Sequence, residues 1–247
     1  MGQKTAAAGR RRPVLQPAIP KLDRLLASFS GGKDSMLAVQ RAREAGLEVR
    51  WLLAMLEETG QRLRSHGVPL ALMQAQADAL GLELVTAAAS WDDYQATFVA
   101  QLQALAARGA QAAVFGDIDL QAHRDWEEKV CAQAGLQAHL PLWGQPRRAL
   151  VDAFLAQGWR ARVVCVDSRF LHDGFAGREF DADFVASLPA GVDACGENGE
   201  FHTFVFDGPA FAHPVAHRVT GVRAWTSPAR FGAVRYCFAD LELAHAA

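Results

Sequence analysis

The sequence predicts an α/β fold in which a doubly wound, parallel sheet of five strands is followed by a smaller C-terminal α+β domain. From position 24 to about 143, short apolar runs alternate with amphipathic stretches of helical length. This alternation is typical of βαβ units, whose right-handed crossovers give one parallel sheet. Beyond that point the pattern loosens and glycine, proline and phenylalanine become frequent. We therefore predict domains at residues 21–145 and 146–247.

The predicted elements follow one another along the chain. The five strands of the first domain are RLLASF, LEVRWLLAML, LELVTAA, AQAAVFGDID and LQAHLPLWG. The four helices between them are DSMLAVQRAREAG, PLALMQAQADALG, WDDYQATFVAQLQALAARG and HRDWEEKVCAQAG. Met36, Leu37 and Val39 belong to the apolar stripe of the first helix. Asp92 and Asp93 fall in the predicted first turn of the third helix, where the helix dipole favours anions. The second domain contributes the helix RRALVDAFLAQG and the strands ARVVCVD, FHTFVF and RYCFADLEL.

Composition excludes several classes of protein. A net charge of −2, with both signs spread along the chain, does not fit a large nucleic-acid-binding face. The four cysteines include no C-x-x-C pair, so we expect neither a disulfide scaffold nor a zinc site. No stretch reaches the roughly 18 apolar residues of a membrane helix, and the start of the chain lacks a secretory apolar segment. We expect a cytoplasmic protein whose residues 1–20 form a disordered basic tail.

The stretch SGGKDS, residues 30–35, ends the first predicted strand and begins the next helix. Gly31 and Gly32 would let the backbone approach a phosphate, and the N–H groups at the helix start would bind it. Lys33 supplies a positive charge. Asp34 stands where a Walker A loop needs Ser or Thr, and the adjacent glycines do not fit a dinucleotide-binding fingerprint. These features predict a phosphate site of a different kind.

Asp34 poses an electrostatic problem, because a carboxylate in an anion site is unfavourable unless a cation intervenes. A Mg²⁺ that bridges Asp34 and the phosphates would remove this conflict. The alternative is a tight Gly-Gly turn whose polar neighbours are only solvated. The placement between a strand and a helix favours the phosphate site over that alternative.

SGGKDS resembles the PP-loop of the N-type ATP pyrophosphatases, which cleave ATP between its α and β phosphates. Two further stretches, VFGDIDLQAHRDWEEKVC (residues 114–131) and CGENGEFHTFVFDGPAF (residues 195–211), are similar to the diphthine–ammonia ligase family, also called diphthamide synthetase. CGENGE is the most specific of these motifs. The resemblance implies a HUP-like, adenine nucleotide alpha hydrolase-like form of the predicted fold.

The resemblance also implies the site residues, position by position. The ATP-binding residues would be Ser30, Gly31, Gly32, Lys33, Asp34, Ser35, His66, Gly116 and Asp117. The substrate-binding residues would be His123, Arg124, Glu128, Asn198, Gly199 and His202. The catalytic residues would be Lys33, Asp34, Glu197 and Glu200, with Asp34 also the candidate Mg²⁺ ligand. Ala122 and His123 replace the Tyr-Gln pair usual in the diphthamide-making branch. The stretch HRDWEEKVC of this chain is more similar to a bacterial branch of the family.

The activity that the resemblance implies is that of an ATP-dependent, AMP-forming ligase. A substrate carboxylate would attack the α-phosphorus of ATP, and ammonia would then displace AMP to leave an amide. Glu197 and Glu200 would bind ammonium or take a proton from the attacking ammonia. From their spacing alone, a glycine-rich turn with exposed carboxylates is the simpler interpretation, and only the resemblance favours a catalytic role.

The expected partners are ATP, Mg²⁺, ammonia and a carboxylate on a modified protein or a small molecule, with no membrane and no nucleic acid. A homodimer is compatible with the sequence. The departure at Ala122 and His123 favours a corrinoid or another small acid of cobalamin salvage as an alternative substrate. Two other hypotheses are a PP-loop RNA-modifying enzyme, which would need a cysteine pair and a basic region, and a non-catalytic ATP-binding protein, which would not need Lys33 and Asp34.

Overall fold

The computed structural model describes residues 24–244, so the predicted tail at residues 1–20 lies outside the described residues. Its first sheet is parallel throughout and has the strand order β3-β2-β1-β4-β5. The strands are β1 (Leu25–Ser28), β2 (Val49–Leu56), β3 (Glu83–Ala88), β4 (Ala112–Val114) and β5 (Gln137–His139). The helices that connect them are α1 (Lys33–Glu44), α2 (Leu70–Leu80), α3 (Tyr94–Ala107) and α4 (Gln121–Gln133). The predicted five-stranded parallel sheet is confirmed.

The sheet is covered on both faces, as a doubly wound fold requires. Leu25 of β1 belongs to one apolar core together with Met36 of α1, whereas Leu26 belongs to a second core with Phe98 of α3 and Val130 of α4. Successive residues of a strand point to opposite faces, so one short apolar strand serves both cores. Because the chain proceeds from β1 to one edge of the sheet and returns at β4, a crevice forms beyond the carboxyl ends of these two strands.

One predicted boundary is wrong. Asp92 and Asp93 precede α3, which begins at Tyr94, and do not lie in its first turn. The reason is a local turn, in which the Ser90 hydroxyl lies 2.7 Å from the Asp93 carboxylate and accepts a hydrogen bond from the Asp93 N–H at 3.1 Å.

The C-terminal part contains a second, antiparallel sheet with the strand order β7-β6-β9-β8. Its elements are α5 (Arg147–Ala156), β6 (Arg160–Asp167), α6 (Ala182–Ala186), β7 (Phe201–Asp207), β8 (His217–Thr226) and β9 (Arg235–Leu243). The sequence predicted α5, β6, β7 and β9. It did not predict β8, an edge strand that is largely exposed and therefore carries no apolar alternation.

The two sheets meet at the turn of residues 30–35, between β1 and α1. The backbone N–H of Val205 in β7 donates to the carbonyl of Gly31 at 2.8 Å, and the N–H of Lys33 donates to the Thr203 hydroxyl at 3.0 Å. Gln76 is fully buried between them and its Nε2 donates to the carbonyls of Gly31 (3.0 Å) and Val205 (2.5 Å). The loop is therefore supported by residues that lie far apart in sequence. Within residues 24–244, no helix has both the length and the apolar character needed to span a membrane.

Candidate active site

The turn between β1 and α1 depends on Gly31. Its φ is +70°, in the left-handed region that glycine adopts without strain. A Cβ at this position would lie 2.8 Å from Gln76 Oε1 and 2.9 Å from Met73 Sδ. Gly32 follows in the N-cap position of α1. The glycine pair therefore lets the chain turn sharply enough to present the start of α1 at the carboxyl end of the sheet.

The two serines of the loop brace it from within. The Ser35 hydroxyl donates to the carbonyl of Gly32 at 3.0 Å and lies 3.2 Å from the Ser30 hydroxyl, which accepts from the Gly32 N–H at 3.3 Å. The Lys33 N–H donates to the Thr203 hydroxyl, so the N–H groups of both Gly32 and Lys33 at the start of the helix are hydrogen-bonded to hydroxyl oxygens. A bound phosphate would compete with these hydroxyls or use them as additional donors.

Lys33 and Asp34 form an ion pair of 2.7 Å, and Lys33 is only 4 % exposed. Burial by itself would lower the pKa of the Lys33 ammonium. The charge of the hydrogen-bonded Asp34 carboxylate, together with that of Glu197, outweighs burial, so this pKa lies well above its ordinary value. The structure thus changes the expectation for Asp34, since the cation that balances its carboxylate is the neighbouring lysine.

Gly116 brings the end of β4 against the start of α1. A Cβ on Gly116 would lie 2.8 Å from the backbone carbon of Asp34 and 2.8 Å from the backbone nitrogen of Ser35. Because both atoms belong to backbone, only glycine allows this approach. The following residue, Asp117, accepts a hydrogen bond from His123 Nδ1 at 2.6 Å. The hydrogen bond to Asp117 raises the pKa of His123, which favours a charged imidazolium at the cavity.

Glu127 is a functional candidate that the sequence analysis missed. It is 3 % exposed, and burial together with a hydrogen bond to Asp117 raises its pKa to about 10. Among the described residues, its Oε2 has no hydrogen-bond partner. Burial raises the pKa of Asp117, but hydrogen bonds with His123 and Glu127 outweigh this and lower it. A protonated Glu127, an ionised Asp117 and His123 therefore form one chain, and the i,i+4 spacing of Glu127 and His123 was the available signal.

Glu197 reaches the same crevice from the C-terminal part. Its Oε1 accepts a hydrogen bond from the backbone N–H of Ile118 at 3.3 Å. Burial first, and then the charge of Asp34, raise the pKa of the Glu197 carboxyl to about 7. A carboxyl group that titrates near neutral pH can both take up and release a proton under physiological conditions.

Glu200 is placed differently from the catalytic position that was expected. It is 2 % exposed, and its carboxylate accepts hydrogen bonds from Asp193 N (3.2 Å), Asn198 N (3.0 Å) and Asn198 Nδ2 (3.0 Å). Arg147, which the sequence analysis did not single out, binds Asp193 at 2.7 Å and Asn198 Oδ1 at 3.0 Å from the other side. Glu200 and Arg147 thus hold the loop that carries Glu197, and Glu200 does not face the crevice.

The crevice is a cavity of about 620 Å³. The predicted site residues that line it are Ser30, Lys33, Asp34, Ser35, His66, Gly116, Asp117, His123, Glu197, Asn198, Gly199 and His202. Gly31 and Gly32 form the turn beside it. Arg124 and Glu128 do not line it, since they pair with each other at 2.7 Å along α4 and Arg124 stacks on Trp143.

A pair of histidines closes one side of the cavity. The rings of His66 and His202 have their centroids 4.5 Å apart. Burial and the charge of Lys33 lower the pKa of His202 to about 4, and burial places the pKa of His66 well below its ordinary value. Both imidazoles are therefore neutral at pH 7. Each can donate one N–H to an oxygen of a ligand without adding charge.

Comparisons with known proteins agree with these motifs. Residues 23–138 match the family model of the diphthamide synthase N-terminal domain, and residues 147–233 match that of the diphthamide synthase C-terminal domain. A diphthine–ammonia ligase of Danio rerio is 34% identical over 90 residues, which is 34% of this chain and 35% of that protein. The chain thus matches about a third of this curated relative's length.

A solved structure, described as a predicted subunit of tRNA methyltransferase from Methanocaldococcus jannaschii, matches at 16% identity with a TM-score of 0.40. That match covers 57% of this chain and 80% of the other. The two family models together match most of the chain, and they confirm the resemblance that its motifs carry. This chain belongs to the diphthamide synthase family.

Proposed function

We propose that this protein is an ATP-dependent, AMP-forming ligase that adenylates a carboxylate and converts it to an amide with ammonia. One observation carries the proposal, namely the convergence of the SGGKDS turn, the buried Lys33 and the near-neutral carboxyl of Glu197 on one cavity. Membership of the diphthamide synthase family and the similarity to a diphthine–ammonia ligase support it.

The β and γ phosphates of ATP would lie against the start of α1. Gly31 and Gly32 allow close approach of the backbone, and Lys33 supplies the charge that stabilises the departing pyrophosphate. The substrate carboxylate attacks the α-phosphorus, the bond to the bridging oxygen of pyrophosphate breaks, and an acyl-adenylate forms. Such a transfer needs little beyond positioning and charge stabilisation, which is what a rigid loop and a buried lysine provide.

The cavity is compatible with a Mg²⁺ that enters together with the nucleotide. Its carboxyl groups include Asp34, Asp117 and Glu197, which offer the oxygen ligands that Mg²⁺ prefers. Within residues 24–244, no group of three or more His, Cys, Asp or Glu side chains is arranged to hold a metal ion. A nucleotide-borne Mg²⁺ needs only one or two carboxylates. Asp34 would supply one of them, and the ion would neutralise phosphate charge.

Glu197 would act as the base of the second step. Ammonia attacks the carbonyl carbon of the acyl-adenylate, the bond to AMP breaks, and the nitrogen loses a proton to the Glu197 carboxylate. A carboxyl group with a pKa of about 7 is partly ionised at neutral pH and can accept that proton. His123, held by Asp117 at 2.6 Å, would stabilise the phosphate of the leaving AMP.

The buried cysteines argue against RNA thiolation, the other chemistry considered for a PP-loop protein. Sulfur transfer needs a thiol that can be reached, and all four cysteines are free and buried. The amidated acid would be a modified protein or a small acid such as a corrinoid.

The test is to incubate the pure protein with ATP, Mg²⁺, ammonium and candidate acids, including corrinoid acids and modified elongation factor 2. The expected products are AMP, pyrophosphate and an amide. Release of ADP and phosphate would refute the proposed function. Product formation with only one class of acid would identify the substrate.

A further inference from the structure

A second cavity, of about 640 Å³, lies on the other side of the histidine pair and has no role in the steps proposed above. One wall is the segment that follows β2, from Glu57 to Gly67. The opposite wall is formed by β8 and β9 of the C-terminal sheet, including Trp225 and Tyr236. The cavity therefore exists only because the two parts of the chain pack against each other.

The lining carries an unneutralised positive charge. Arg223 forms an ion pair with Asp240 at 3.0 Å, and Arg62 lies 3.7 Å from the same carboxylate. Arg64 forms no ion pair within the described part of the chain. Its guanidinium lies 4.7 Å from the centroid of Trp91, and its buried Nε and Nη2 atoms have no hydrogen-bond partner among the described residues. Buried donors are rarely left unpaired, so this guanidinium points to an anionic ligand.

Among the described residues, Glu57 is the one carboxylate that lines this cavity, and it is already hydrogen-bonded. Glu57 accepts hydrogen bonds from the Thr59 hydroxyl (2.5 Å) and from the backbone N–H groups of Thr59, Gln61 and Arg62 at 2.8, 3.0 and 3.2 Å. These bonds fold the turn after β2 and leave Glu57 committed to its own backbone. Within residues 24–244, Glu57 thus forms no ion pair with Arg64.

The remaining walls are aromatic and open to solvent. Trp91, Trp225 and Phe231 are 45 %, 43 % and 44 % exposed, although large aromatic side chains are more often covered. Trp91 and Phe231 lie 5.4 Å apart, and Trp225 lies 6.1 Å from Tyr236. Such rings offer flat apolar surface to a ligand.

The two cavities adjoin at the histidine pair. His202 lines both of them, whereas His66 lines only the phosphate cavity and its neighbours Ser65 and Gly67 line only the second. A ligand in the second cavity would therefore place one end against the wall of the phosphate cavity. A carboxylate at that end would face the cavity in which adenylation is proposed.

We propose that the second cavity binds the acid that the ligase activates, and that this acid has a flat apolar part and, besides the carboxylate that reacts, an anionic group that Arg64 recognises. The claim that this ligand is the substrate rests on the proposed function, whereas the chemical class of the ligand follows from the cavity itself. The adenine ring of ATP is the competing occupant, since it is also flat, but it carries no charge for Arg64.

The test uses a matched pair of probes, 1-naphthoate and 1-naphthamide, which differ in charge and hardly in shape. Isothermal titration of the full chain should show naphthoate binding at least about tenfold more tightly than the amide, since a hydrogen bond to a charged group contributes that much. Arg64→Gln should remove this preference, and Arg64→Lys should restore part of it. Trp225→Ala should weaken both probes. Arg148→Gln, an exposed helix position, is the control that should change nothing.

Titration of the same variants with α,β-methylene-ATP separates the two proposals. The expected result is that its affinity stays within about twofold in Arg64→Gln and Trp225→Ala. Equal binding of the two naphthyl probes, or loss of nucleotide affinity in both variants, would overturn the assignment of the cavity. Failure of the unmodified protein to bind α,β-methylene-ATP would count against the proposed function, while the naphthoate preference would still decide the cavity.

Discussion

Replacing Gly116 by alanine should separate the end of β4 from the start of α1. The added Cβ would lie 2.8 Å from two backbone atoms, the carbonyl carbon of Asp34 and the nitrogen of Ser35, and 3.0 Å from the Asp34 oxygen. These distances are shorter than a carbon atom tolerates, and backbone cannot rotate away as a side chain can. One of the two segments must therefore move.

The size of the effect follows from this overpacking. Inserting a methyl group into a well-packed site costs about 1–3 kcal/mol. For a chain of this size that corresponds to a loss of roughly 2 to 12 °C in melting temperature. The cost is steric, because Gly116 is not among the glycines with positive φ. Because the displaced residues, Asp34 and Ser35, end the SGGKDS stretch and belong to the first turn of α1, the affinity for α,β-methylene-ATP should fall by about tenfold or more, the loss expected of one misplaced charged hydrogen bond.

The assay compares thermal unfolding and nucleotide titration in Gly116→Ala and Gly221→Ala. Gly221 lies in β8 and has no positive φ, and a Cβ added there would have no other atom within 4 Å. Its substitution should leave both measurements unchanged or raise stability slightly, since alanine restricts the unfolded chain. If Gly116→Ala bound α,β-methylene-ATP and melted as Gly221→Ala does, the reasoning about the β4–α1 contact would be refuted.

Three further predictions concern the same cavity. Glu197 is active as a base when ionised and has a pKa of about 7, so amide formation, measured at a fixed concentration of free ammonia, should rise with pH through about 7; Glu197→Gln should abolish that rise, and a variant profile that keeps it under the same condition would contradict the role. The pKa of Glu127 is raised to about 10 in the folded state, so the folded protein keeps a proton that the unfolded chain loses above about pH 4.5. The wild type should therefore lose stability relative to Glu127→Gln as pH rises from about 4.5 towards 10. Urea unfolding of both proteins at pH 5 and pH 8 checks this sign. Gly31→Ala and Gly46→Ala share a left-handed backbone, with φ of +70° and +78°, so both should lose about 1–2 kcal/mol of stability. Only Gly31→Ala should lose nucleotide affinity, because a Cβ on Gly46 meets nothing within 4 Å; equal nucleotide binding by the two variants would speak against the loop assignment.

The part of the site that could be predicted from sequence is the part built by short-range rules. SGGKDS combines a strand end, a glycine turn and a helix start in six consecutive residues, so its geometry depends little on the rest of the chain. Gly116 and Asp117 could be placed beside it, because parallel strands bring their carboxyl ends to one edge of a sheet. Placement of the late CGENGE motif required a family resemblance, since no local pattern connects residue 197 with residue 34.

The roles of individual carboxylates depended on burial. Glu197 and Glu200 are three residues apart and look alike in sequence. In the structure Glu197 is half-buried at the cavity, whereas Glu200 is covered and bonded to the loop backbone. Glu127 lay unnoticed in a helix whose polar residues are otherwise mostly exposed. Its environment is set by Asp117, ten residues earlier in the chain.

By itself, the sequence determined the five-stranded parallel sheet, the glycine turn between β1 and α1, and the family. Hydrophobic periodicity and turn chemistry act over a few residues, and a motif is a local string. The tertiary structure alone decided that Lys33 neutralises Asp34, that Glu127 keeps a proton beside Asp117, and that Arg64 has no counter-ion among residues 24–244. Each of these depends on side-chain geometry and on removal from water, and the burial arises when segments far apart in the chain pack together.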